Sequence, residues 1–128
     1  MPRYARLKEL GLPLIREPGE RISRGYADLG YEEFLLISEQ RMVSLFSGQV
    51  STLPVDHERF FFAVPTVDQM LREVERRGAE IGSIENRDGR SWVVHAILQA
   101  QELRSVGVSM EEAVVDMLHQ ILERESGE

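Results

Sequence analysis

The stretch FFFAVPTVDQMLREVERRGAEI, residues 60–81, leaves this chain few folds to choose from. Three phenylalanines followed by Ala63 and Val64 suit a strand, and Pro65 ends it because proline has no N–H to give to a ladder. Thr66 stands where a helix wants an N-cap, and Gln69 completes a capping box. Val67, Met70, Leu71 and Val74 fall on one helical face, and Gly78 supplies the stop. A second strand follows over 79–84. A strand–helix–strand unit at the centre of the chain makes it α+β.

The flanks extend this pattern. Tyr4, Leu7 and Leu10 have helical spacing before Gly11, and Leu12, Leu14 and Ile15 make a short strand ahead of the Pro18-Gly19 turn. Two strands, about 21–28 and 32–38, join at Leu29-Gly30. Residues 39–57 lose periodicity and read as a linker with room for one helical turn. Beyond residue 84, Asp88-Gly89 is a hairpin signal and WVVHAIL continues the sheet. The segment QAQELRSV suits either a last strand at 102–106 or the continuation of a helix begun near Val94, and the strand is preferred. Ser109 and Glu112 then form a capping box, and Met110, Ala113, Val114, Met117, Leu118, Ile121 and Leu122 trace a wide apolar stripe over a helix 109–124. The expected organisation is a first module over 1–38, the linker 39–57, a second module over 58–106 and a C-terminal helix in 107–128, all in one compact domain.

Charge and composition restrict function. Fifteen basic residues against 22 acidic ones give a net charge of −7, with no basic stripe, so nucleic acid is not an expected partner. No apolar run approaches the roughly 20 residues that cross a bilayer, and no signal peptide is expected. The absence of cysteine removes disulfides, thiolate metal sites and a cysteine nucleophile, and a cytoplasmic location is expected.

The order of segments, YARLKELGLPLIREPGERI, YADLGYEEFLLIS, RFFFAVPTVDQMLREVERRGAEI and DGRSWVVHAIL, resembles the vicinal oxygen chelate superfamily over residues 3–106. That group includes glyoxalase I, the bleomycin-resistance proteins and the extradiol dioxygenases. The resemblance implies paired βαβββ modules forming a cupped mixed sheet, here with an extra C-terminal amphipathic helix. It also implies a small-molecule ligand in the cup and a homodimer. The first module's leading strand, which brings a metal-binding His in the family, has no counterpart. Arg59 stands where the second module's opening strand usually has a His, and Arg104 or Ser105 falls near the usual Glu. His57 and Glu33 (or Glu32) remain as weak metal candidates, fewer than the three or four ligands a divalent ion wants. No metal or other cofactor is therefore expected.

Facing the cup, the resemblance puts Arg24, Tyr26, Phe34, Phe60, Phe62, Trp92 and His95 as ligand-binding candidates. Period two sets Phe60 and Phe62 on one side of their strand and Phe61 on the other. No catalytic residue is assigned. The leading reading is a metal-free, non-catalytic small-molecule-binding protein of the glyoxalase/bleomycin-resistance type. One alternative is a divergent metal-dependent lyase, isomerase or dioxygenase using His57 and Glu33. Another is a dimeric regulatory module that docks through its C-terminal helix.

Overall fold

A helix followed by a meander of antiparallel strands occurs twice in the computed structural model, which describes residues 2–13, 17–26 and 30–127. The chain divides into two compact units, Met1–Pro65 and Thr66–Glu128. The α+β class holds, and so does the C-terminal amphipathic helix. Every ladder among the described residues is antiparallel rather than mixed, in sheets of five and three strands. Successive strands within each meander are joined by turns far shorter than the dozen or more residues a parallel crossover needs.

The first unit comprises α1 (Pro2–Glu9), β1 (Arg21–Tyr26), β2 (Gly30–Leu36), β3 (Arg41–Ser44), β4 (Val50–Thr52), a 3-10 turn (His57–Arg59) and β5 (Phe61–Ala63). Its strand order is β4-β3-β2-β1-β5. Two elements differ from expectation. The region read as a linker carries β3 and β4, whose short sequences RMVS and VST give no alternating apolar signal. The phenylalanine strand, expected to open the second module, pairs instead with β1. The expected strand over Leu12–Ile15 and the turn at Leu29 fall partly outside the described residues. One face of the sheet carries the buried cluster Ile22, Phe34, Leu36, Met42, Leu53 and Phe61. Buried Ser23 is satisfied by donating from Oγ to the Glu32 carbonyl at 2.8 Å.

The second unit comprises α2 (Val67–Arg76), β6 (Glu80–Arg87), β7 (Ser91–Leu98), β8 (Gln101–Gly107) and α3 (Met110–Glu125), with strand order β6-β7-β8. The Thr66–Gln69 capping box forms in both directions, and Gly78 takes φ +97° to leave the helix. Residues 101–107 are strand, as preferred, and Ser109 Oγ caps α3 by accepting from the Glu112 N–H. Seven buried side chains of α3, among them Leu118 and Ile121, sit against β7, β8 and α2. Its stripe is thus covered within its own unit. Arg77 links the two helices, bonding Glu73 at 2.8 Å and pairing with Glu125. Hydrogen bonds from Arg76 and Arg77 hold the Glu73 carboxyl below the usual range, outweighing its partial desolvation.

The β7–β8 hairpin turns on Gln99 (φ 51°) and Ala100 (φ 65°), a left-handed pair of the kind usually given to Asn-Gly. A Cβ in that region costs roughly 1–2 kcal/mol. Ala100→Gly is therefore expected to stabilise the protein by about 1 kcal/mol, seen as a rise in the urea midpoint with unchanged slope. A lower midpoint would show that the turn is not strained.

Candidate functional site

The predicted ligand residues fall into two groups, one in each unit. In the first unit, β1 and β2 pair with Arg24 opposite Glu32 and Ile22 opposite Phe34, while β5 sets Phe61 opposite Arg24 and Phe62 opposite Ser23. Period two then puts Arg24, Phe34 and Phe61 on one face and Phe62 on the other. The ring contacts agree: Phe34 meets Phe61 edge-on at 5.6 Å, and Tyr31 meets Phe62 edge-on at 5.8 Å. Phe62 therefore does not join Arg24 and Phe34, and Phe61 takes the place expected for it. The cause is the 3-10 turn over His57–Arg59, which delays the strand so that Phe60 lies before it. Phe60 is half-exposed and still meets Arg24, whose guanidinium carbon stands 5.9 Å from its ring centre and 5.6 Å from that of Phe61. Arg59 approaches Phe60 at 5.5 Å. Tyr26 pairs with Gly30 at the end of β1, and its side chain lies outside the described set.

The two metal candidates are differently employed. Glu33 is paired with Arg21. His57 is buried, its Nδ1 3.1 Å from the Pro54 carbonyl, which makes Nδ1 the protonated nitrogen. Its Nε2 is buried without a hydrogen-bond partner among the described residues. No group of three or more His, Asp or Glu side chains able to hold a metal ion occurs among the described residues.

In the second unit, Trp92 and His95 stand on opposite faces of β7. Ser105 Oγ donates to the Ala113 carbonyl at 2.6 Å, so the Ser105 side of the sheet faces α3. Val94 pairs with Ser105, and Trp92 shares its side by period two. His95, three residues from Trp92, turns to the other face, opposite Ser83 on β6 and Arg104 on β8.

That second face holds a cleft of about 310 Å³. His95 and Ile97 line it from the middle strand, Ser83 and Glu85 from β6, and Glu102 from β8. At its margin, β6 is interrupted by a bulge at Gly82, where the register slips between Ile81 and Ser83. Bulges of this kind re-aim side chains and recur beside binding sites. Ile97 is 46% exposed, so the floor offers apolar surface between polar walls. Arg87, at the hairpin end, lies 3.6 Å from Glu85.

Of the cleft residues, only His95 was a predicted ligand residue. The others were harder to reach from the sequence: a two-residue turn at Asp88-Gly89 would set Gly82 opposite His95, whereas the loop spans 88–90, pairs Arg87 with Ser91 and so sets Ser83 there. No protein-family model, curated protein or solved structure matches the chain.

Proposed function

We propose that this chain binds a small molecule in the cleft of the β6–β8 sheet and performs no chemistry on it. The cleft around His95 carries the reading. It combines enough volume for a fragment-sized ligand with an apolar floor at Ile97 and a few polar groups that fix orientation, the usual make-up of a ligand site. The repeat of a helix followed by an antiparallel meander, of four strands in the first unit and three in the second, supports kinship with the glyoxalase and bleomycin-resistance proteins. The proposed protein is metal-free, a reading supported by the pairing of Glu33 with Arg21 and by the lack, among the described residues, of a group of three or more side chains able to hold an ion. A homodimer and a cytoplasmic setting belong to the same reading. The dimer would use a surface other than α3, and the setting rests on the lack of cysteine.

The test is a backbone amide NMR titration with a mixture of anionic, neutral and cationic fragments. Saturable shifts are expected at Ser83, His95, Ile97 and Glu102, with loss of binding in Ile97→Lys at an unchanged melting temperature. If no fragment moves these resonances at millimolar concentration, the cleft is not a binding site. A melting temperature lowered by EDTA would favour the metal-dependent alternative instead.

A further inference from the structure

The two sheets have four margins, and three of them are guarded. β5 has α1 packed beside it. β6 has the bulge at Gly82 and the charges of Glu80, Glu85 and Arg87. On β8 the Arg104 carbonyl accepts from the Gln120 side-chain amide at 2.8 Å. Covering elements, bulges and charges are the usual means of keeping an edge from pairing. β4 ends the five-stranded sheet with none of these: Val50, Ser51 and Thr52 are all exposed and uncharged. Hydrogen bonds at both ends of the β3–β4 ladder fix which way its backbone faces. The Ser44 N–H donates to the Gln49 carbonyl at 2.9 Å, and the Leu53 N–H to the Gln40 carbonyl at 2.8 Å. With Ser51 opposite Met42, antiparallel alternation turns the backbone of Ser51 toward β3 and the N–H and C=O groups of Val50 and Thr52 outward. These outward groups are symmetric about Ser51.

We propose that β4 is a seam between two copies of this chain, paired antiparallel about a two-fold axis at Ser51 so that their five-stranded sheets join into one. Val50 of each copy then stands opposite Thr52 of the other, and the outward groups close four backbone hydrogen bonds. Charge favours the same occupant. Residues 42–55 form the longest uncharged run in a chain of net charge −7, so two copies meet there without setting like charges against each other. The antiparallel register also brings the hairpin end of one strand, where Phe46 is 91% exposed, beside the far end of the other, where Val55 is fully exposed. Two-fold pairing uses up the edge of both copies, so the assembly closes at two. The seam rests on the homodimer proposed above and is independent of the cleft.

The test is sedimentation of the full chain over a concentration series, beside Thr52→Pro and Val50→Lys. Thr52→Pro removes an N–H that the β3–β4 ladder does not use, a position where an edge strand accepts proline. It deletes two of the four seam bonds and is expected to raise the dimer dissociation constant roughly tenfold or more. Val50→Lys sets a charge from each copy at the seam and is expected to weaken the dimer as well, with the monomer melting temperature kept because Val50 is exposed. It carries the test if the proline variant fails to fold. In a dimer mixed from labelled and unlabelled chains, an intermolecular Hα–Hα contact is expected at Ser51, where the two Cα atoms of a non-hydrogen-bonded pair lie about 4.5 Å apart. A chain that stays monomeric at every concentration overturns the seam and the homodimer together. A dimer that lacks the Ser51 contact, or that Val50→Lys leaves intact, overturns the seam alone, as does assembly that continues past two copies.

Discussion

Deleting residues 109–128 is expected to unfold the second unit, leaving no folded core that has merely lost a docking arm. The helix contributes seven buried side chains, and Leu118, Ile121 and Leu122 are at most 1% exposed. Full burial of an aliphatic side chain is worth about 1.5–3 kcal/mol, and domains are stable by only about 5–15 kcal/mol. Losing the helix therefore exceeds the margin. It would also bare one face of the β6–β8 sheet and the side of α2 that meets α3. Circular dichroism and a thermal melt of a chain ending at Val108 provide the check. A cooperative melt with native strand content would make α3 an appendage after all and would revive the reading of a regulatory arm.

Gly107→Ala is the second large effect, expected to cost about 3 kcal/mol or more by overpacking. A Cβ at Gly107 would lie 2.6 Å from the Ala113 N and 2.7 Å from the Glu112 Cβ. The first is helix backbone, which cannot swing aside as a side chain can. Only Val108 and Ser109 separate β8 from α3, and both ends of that link are fixed, by the Ser109 cap and by the bond from the Val108 N–H to Glu112 at 3.0 Å. Gly82→Ala is the internal control. Its Cβ would meet the His95 carbonyl at 3.7 Å, an ordinary contact, and the expected cost is the few tenths of a kcal/mol typical of a tolerated surface change. Urea unfolding of the two variants side by side settles the matter, and equal costs would remove the steric account.

These effects sit in the part of the chain where local sequence signals and tertiary structure agree. The Thr66 capping box, the Asp88-Gly89 turn and the α3 stripe each announce their element within a few residues, because the stabilising groups are near neighbours. Where structure depends on distant partners, the sequence was mute. β3 and β4 are short, lack a clear alternation, and are held by pairing with β2 and with each other. The partner of β5 is β1, some forty residues earlier, and no local pattern encodes that choice. Register was the other weakness: one 3-10 turn exchanged the roles of Phe61 and Phe62, since a one-residue slip reverses the face of every side chain. For Trp92 and His95 the information was present, because an odd separation on one strand places two residues on opposite faces. The Gln99-Ala100 turn shows the limit from the other side, as neither residue advertises a left-handed conformation.

Gln120 has a consequence for how this protein behaves in company. Its side-chain amide donates to the Arg104 carbonyl at 2.8 Å. Leu98 and Gln101 close a two-residue hairpin, and the alternation of antiparallel ladders then turns the Arg104 carbonyl away from β7, toward the strand's outer margin. A free margin of this sort is a template on which foreign chains can add and grow into insoluble stacks. With its central acceptor already occupied by a side chain from the molecule's own helix, β8 is a poor seed for such growth.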